Sequence, residues 1–99
     1  MNNAEYFNEL IPDVSEGLKD AIMVARDVDP YAAYNGSKEV ELAEADLYMR
    51  VLLMPEFSEG SLSIKYKASS LTSAANRIYL KYNDSKYDSG EPTIRRIQL

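Results

Sequence analysis

Residues 37–54, SKEVELAEADLYMRVLLM, form the longest unbroken helical pattern in the chain and run directly into Pro55. Proline lacks an N–H and crowds the turn before it, so the pattern has a fixed end. Val40, Ala43 and Leu47 trace one stripe, which Val51 and Met54 continue at helical spacing. The last turns are different, because Leu47, Met49, Val51, Leu52, Leu53 and Met54 cover most of the circumference. A helix end that is apolar all round must be covered on every side, by its own chain or by a neighbour. At about 1.5 Å per residue the pattern spans roughly 25 Å, the width of a small domain. It reads as a central strut against which shorter segments pack.

The flanking segments supply those partners. Residues 3–10 read as a short helix, capped by Asn2 or Asn3, with Tyr6, Phe7 and Leu10 as its apolar face. Ile11-Pro12 redirects the chain, and Asp13 and Ser15 offer cap oxygens for a helix over 14–25. Its stripe is Val14, Leu18, Ala21, Ile22 and Ala25, and Gly17 would fit a close backbone approach in its first turn. Asp29-Pro30 breaks the pattern, Tyr31-Ala32-Ala33-Tyr34 is read as one helical turn, and Asn35-Gly36 resets the direction before Ser37 caps the strut. Residues 55–60 are read as a loop. Over 61–67 Leu62, Ile64 and Tyr66 alternate with Ser61, Ser63, Lys65 and Lys67, a strand period that requires a pairing partner. Ser69 or Ser70 caps a final helix over 71–82, whose stripe is Leu71, Ala74, Ala75, Ile78 and Tyr82. The two alanines suit close packing on the strut. Residues 83–99 read as a polar C-terminal arm that ends on Ile94, Ile97 and Leu99 around Arg95 and Arg96, and that docks either on its own domain or on a neighbour.

The expected fold is therefore mainly α: one domain over 1–99, a compact bundle of about four helices. One short β-strand or hairpin element lies between the last two.

The chain has no cysteine and no histidine. Disulfides, thiolate chemistry and the commonest zinc ligand and neutral-pH base are excluded. Asp27 and Asp29 suggest calcium, but an EF-hand counted from Asp27 places Ala32 where glycine belongs and Lys38 where the closing glutamate belongs, so the match fails. Glu41, Glu44 and Asp46 are expected on a solvated face. No cofactor and no catalytic constellation is expected, so the chain is not read as an enzyme. The N-terminus lacks the basic start of a secretory leader, and no apolar run approaches a membrane span. No membrane association is expected.

The net charge of −5 disfavours duplex nucleic acid. Residues 1–60 hold 13 acidic and 4 basic side chains, while 61–99 hold 3 acidic and 7 basic, nets of −9 and +4. One reading is an asymmetry dispersed over a folded surface. The other is a subunit with an acidic and a basic face, which favours head-to-tail contacts between copies. Eight tyrosines without tryptophan serve either a half-wet binding surface or the edges of the core. Stacking of single-stranded nucleic acid on them is opposed by the acidity.

Taken in order, a helix rich in Ala and Leu ending at a proline (42–55), Ser58-Glu59-Gly60 leading to Ser63-Ile64 (58–66), and Pro92-Thr93-Ile94 resemble the small head–tail connector proteins of long-tailed bacteriophages and prophages. The resemblance covers most of the chain in order and size, with residues 31–36 and 83–91 matching least. It implies a structural subunit of a ring between portal and tail, with itself, the portal and tail-completion proteins as partners. It also implies no sequence-specific nucleic-acid binding and no enzymatic activity. Such a subunit is cytoplasmic during assembly and belongs to the virion if phage-encoded. The interface expected from the residues is Leu52, Leu53, Met54 and Phe57, with Leu62 and Ile64, and with Ile94, Arg95, Arg96 and Ile97 of the arm meeting an acidic neighbour. The rival expectations are a small monomeric protein-binding adaptor and a single-stranded nucleic-acid binder.

Overall fold

The structure, a computed structural model, describes residues 1–86. The C-terminal anchors Ile94, Arg95, Arg96 and Ile97 lie outside the described residues. Helix α1 spans Asn3–Leu10, α2 Glu16–Ala25, α3 Lys38–Leu52, α4 Pro55–Ser58 and α5 Ala68–Lys81. Three starts are built as their sequences require. Asn2 closes a capping box with Glu5, and the hydroxyls of Ser15 and Ser37 accept from the N–H groups of Leu18 and Val40. Pro55 stands at the first position of α4, where its missing N–H costs nothing. The segment read as a loop thus contains one helical turn.

Helix α3 is the strut. It packs most extensively along α5, and also against α2 and α4. Leu47, Val51 and Ala43 are fully buried beside Phe7, Ile11, Met23 and Val28. On another side Leu42 and Ala45 meet Ala75 and Tyr79 of α5. The stripe of α5 thus runs Leu71, Ala75, Tyr79, with Ala74, Ile78 and Tyr82 half-buried. On α2 the buried residues are Lys19 and Met23, while Ala21 and Ala25 are exposed. The Lys19 ammonium donates to Asn8 Oδ1 at 3.0 Å. Its burial lowers its pKa, opposed by Glu16 and Asp13. A Cβ at Gly17 would meet nothing within 4 Å, so no close approach accounts for that glycine.

Two helices end in the same way. Asp27 and Asn83 take left-handed φ values of 61° and 55°. Val28 N–H bonds Met23 O and Asp27 N–H bonds Val24 O, while Asp84 N–H bonds Tyr79 O and Asn83 N–H bonds Leu80 O. Both are Schellman closures, with aspartate and asparagine standing where glycine is commonest.

The short β element between the last two long helices is not found. Among the described residues β pairing is limited to an isolated bridge, Asn2 with Ala33. Residues 61–66 instead turn, with Ile64 N–H on Gly60 O and Tyr66 N–H on Leu62 O. Leu62 is buried, Tyr66 packs half-buried against the same core, and Ile64 is 86% exposed. Leu62 and Tyr66 are four residues apart, a spacing that helical turns satisfy as well as strands do. With no strand among the described residues to pair its backbone, the turn wins. Residues 31–34 likewise form a turn, tied by Tyr31 N–H to Asp29 Oδ1, that leads into the Asn2–Ala33 bridge.

Candidate functional site: the exposed end of the strut

Glu41, Glu44 and Asp46 of α3 do not lie on a solvated face. Asp46 Oδ2 and Oδ1 accept from Arg26 at 2.7 and 3.1 Å, and Oδ1 also accepts from Tyr79 at 2.6 Å and Lys86 at 3.2 Å. Arg26 reaches on to Asp84 at 2.9 Å, so α2, α3 and the turn after α5 share one network. Burial works to raise the Asp46 pKa, but hydrogen bonds from Arg26 and Tyr79 and the charges of Lys86 and Arg26 hold it below the usual carboxylate range. Glu44 accepts from Tyr6 and Tyr48, Glu41 from Tyr82 and Lys81, and Asp13 from Tyr66 and Lys65. Burial, then the hydrogen bond to Glu44, raises the Tyr6 and Tyr48 phenols well above their ordinary value.

Tyr6, Tyr79 and Tyr82 therefore clip α1 and α5 to the strut, Tyr48 bonds within α3, Tyr66 ties two turns, and Tyr34 stacks on Tyr6 with ring centroids 4.0 Å apart. Of the described tyrosines, only Tyr31 is largely exposed. That leaves little aromatic surface for stacking nucleotide bases. The charge asymmetry is also partly neutralised within the subunit. Lys65, Lys81 and Lys86 of the basic half pair with Asp13, Glu41 and Asp46 of the acidic half.

Of the expected interface, what remains uncovered among the described residues is Leu53, at the C-cap of α3, and Ile64, in the turn after α4. Leu52, Met54 and Phe57 are half-buried against the protein's own core, and Leu62 is inside it. Leu53 is 77% exposed and Ile64 86% exposed. The expected patch is thus divided: four of its residues seal the fold and two face outward. Leu53 also forms part of the rim of a recess of about 280 Å³ with Asp46, Met49, Arg50, Tyr79 and Lys86. Its walls are apolar, from Met49, Leu53 and the Tyr79 ring, and two cations flank it. Such a recess accepts an apolar side chain carried beside an acidic group. The sequence pointed to Leu53 through the all-round apolar end of α3. It named Met49 in the same apolar end but did not join it to Tyr79 or Lys86, which only the packing of α5 on α3 brings to the recess.

Among the described residues no helix is long and apolar enough to cross a membrane. Comparison of the chain with curated proteins, and with solved structures, finds no match. Over residues 1–99 the sequence matches the family described as "Family of unknown function (DUF6706)", and the chain belongs to that family.

Proposed function

We propose that this protein is a structural subunit that packs head-to-tail against copies of itself, as a connector ring between the head and tail of a phage or prophage particle. It works with portal and tail-completion proteins and performs no catalysis. The observation that carries the reading is the exposure of two large apolar side chains, Leu53 at the C-cap of α3, 77% exposed, and Ile64 in the turn after α4, 86% exposed. Exposed apolar groups beside a recess gain free energy when a second surface covers them. The resemblance of residues 42–55, 58–66 and 92–94 to head–tail connectors supports the same reading.

Light scattering across a concentration series tests it. The parent protein should grow in mass above its 11.2 kDa subunit, and Leu53→Glu with Ile64→Glu should hold it at one subunit. Both side chains are exposed, so the fold should survive the change. A parent that stays monomeric at the highest concentration contradicts self-assembly. A double variant that grows as the parent does removes Leu53 and Ile64 from the interface.

A second reading has its own support. The ion pairs Lys65–Asp13, Lys81–Glu41 and Lys86–Asp46 use much of the charge asymmetry inside one subunit. A monomeric adaptor that takes a partner's apolar side chain in the Leu53 recess fits that pairing, and predicts a mass of one subunit at every concentration.

A further inference from the structure

A second recess, of about 250 Å³, opens at the other end of the strut, where the starts of α1 and α3 converge. Asp27, Asp29 and Glu39 line it, with Asn3, Asn35 and Ser37, and no lysine or arginine does. Asp27 and Glu39 have no ion-pair or side-chain hydrogen-bond partner among the described residues. Lys38, their neighbour in sequence, lies over the Tyr82 ring instead. Asn3 is 4% exposed. Its Nδ2 donates to Asp29 O at 2.9 Å, which fixes the amide's orientation and leaves Oδ1 a buried acceptor with no donor. An unsatisfied buried acceptor costs about 1–3 kcal/mol, and a donor that reaches it removes the cost.

The recess asks for a positive group that carries several N–H donors. Among the described residues no three carboxylates converge as metal ligands. The acids surround the recess without meeting at a point. A planar guanidinium, with five donors spread over its fork, matches dispersed acceptors better than a point charge does.

We propose that this recess binds the guanidinium of Arg95 or Arg96 from a second copy of the chain. The inference rests on the assembly reading and names its acidic partner. Residues 92–99, PTIRRIQL, carry two arginines and no acid, the charge complement of a recess lined by three acids and no cation. In the assembly reading the segment that gives the arginines and the recess that takes them are different stretches of the sequence, not one self-complementary patch. A contact of that kind is heterologous and repeats around a ring.

The test is an NMR titration of the isotope-labelled full chain with the acetylated peptide of residues 92–99, PTIRRIQL, and with the same peptide carrying glutamine at both arginines. The arginine peptide should shift the Asn3 side-chain amide and the backbone amides of Asp27, Asp29 and Glu39 saturably. The glutamine peptide should not, and Asp27→Asn with Glu39→Gln should weaken binding tenfold or more. Equal shifts with both peptides, or none at the recess, overturn the assignment. So do shifts of the same amides by calcium chloride without peptide, which would make this a metal site. Recess amides that move on Arg95→Gln with Arg96→Gln in dilute, monomeric protein would assign the recess to the chain's own segment and also overturn it. Light scattering separates the two claims. Peptide binding by a protein that never assembles keeps the recess as an arginine site but overturns both the ring and the second copy as its source, and assembly without recess shifts removes the recess and keeps the ring.

Discussion

Two groups of three carboxylates differ sharply in their company. Glu41, Glu44 and Asp46 of α3 lie where α1, α2 and α5 close around the strut, and each accepts from at least one tyrosine hydroxyl. Asp27, Asp29 and Glu39 surround a recess with no cation in its lining. The first group is part of the scaffold, because charge taken partly out of water must be matched by donors or the fold does not close. In the second group Asp29 ties one turn at Tyr31, and Asp27 and Glu39 have no such partner among the described residues. An acid-rich chain therefore holds two kinds of acid, and only the neighbours distinguish them.

The largest expected effect is at the cation that joins the first group. Arg26→Met leaves Asp46 and Asp84 without their guanidinium. Urea denaturation should show a loss of about 3 kcal/mol, since breaking one side of a largely buried pair strands the other. A loss below about 1 kcal/mol would make the network a surface feature and erase the contrast.

Asp46→Asn should cost less, about 2 kcal/mol at neutral pH. It also carries a pH signature. The folded pKa of Asp46 lies below its unfolded value, so its contribution is fully present above the ordinary carboxylate pKa and is lost as pH falls through the folded value. The variant should therefore flatten part of the acid limb of the stability profile, and an unchanged limb would count against the network.

Tyr66→Phe should have the smallest effect, about 0.5 kcal/mol or less. Its hydroxyl meets Asp13 at an exposed site where water replaces the lost bond. A larger loss there would show that the phenol clips matter wherever they occur.

Much of the scaffold was legible in the sequence because its signals are local. Asn2, Ser15 and Ser37 announce helix starts through their own oxygens, Pro55 ends the strut, and Asn83 turns the chain after α5. The seven residues after Gly60 misled because Leu62, Ile64 and Tyr66 fit a period of two, while Leu62 and Tyr66 alone fit a turn of helix. Burial then kept those two and left Ile64 outside. The acids of α3 were read as wet because one helix viewed alone shows a polar side. That Tyr6, Tyr79 and Tyr82 come to them is a property of helix packing, while Tyr48 reaches Glu44 by helical spacing alone. The recess at Asn3 was illegible for the same reason, since it joins residues 3, 27–29 and 35–39 through a turn and an isolated bridge. Of the expected interface, Leu53 and Ile64 are exposed as an interface requires.

The contrast between the two groups of acids is tested most directly by one pair of unfolding curves, measured in urea at a concentration where the protein is monomeric. Asp27→Asn with Glu39→Gln should unfold within about 0.5 kcal/mol of the parent, since neither side chain has a partner to lose, while Asp46→Asn falls well below both. If the recess double variant loses as much stability as Asp46→Asn, its acids belong to the scaffold and the recess is not held for a ligand.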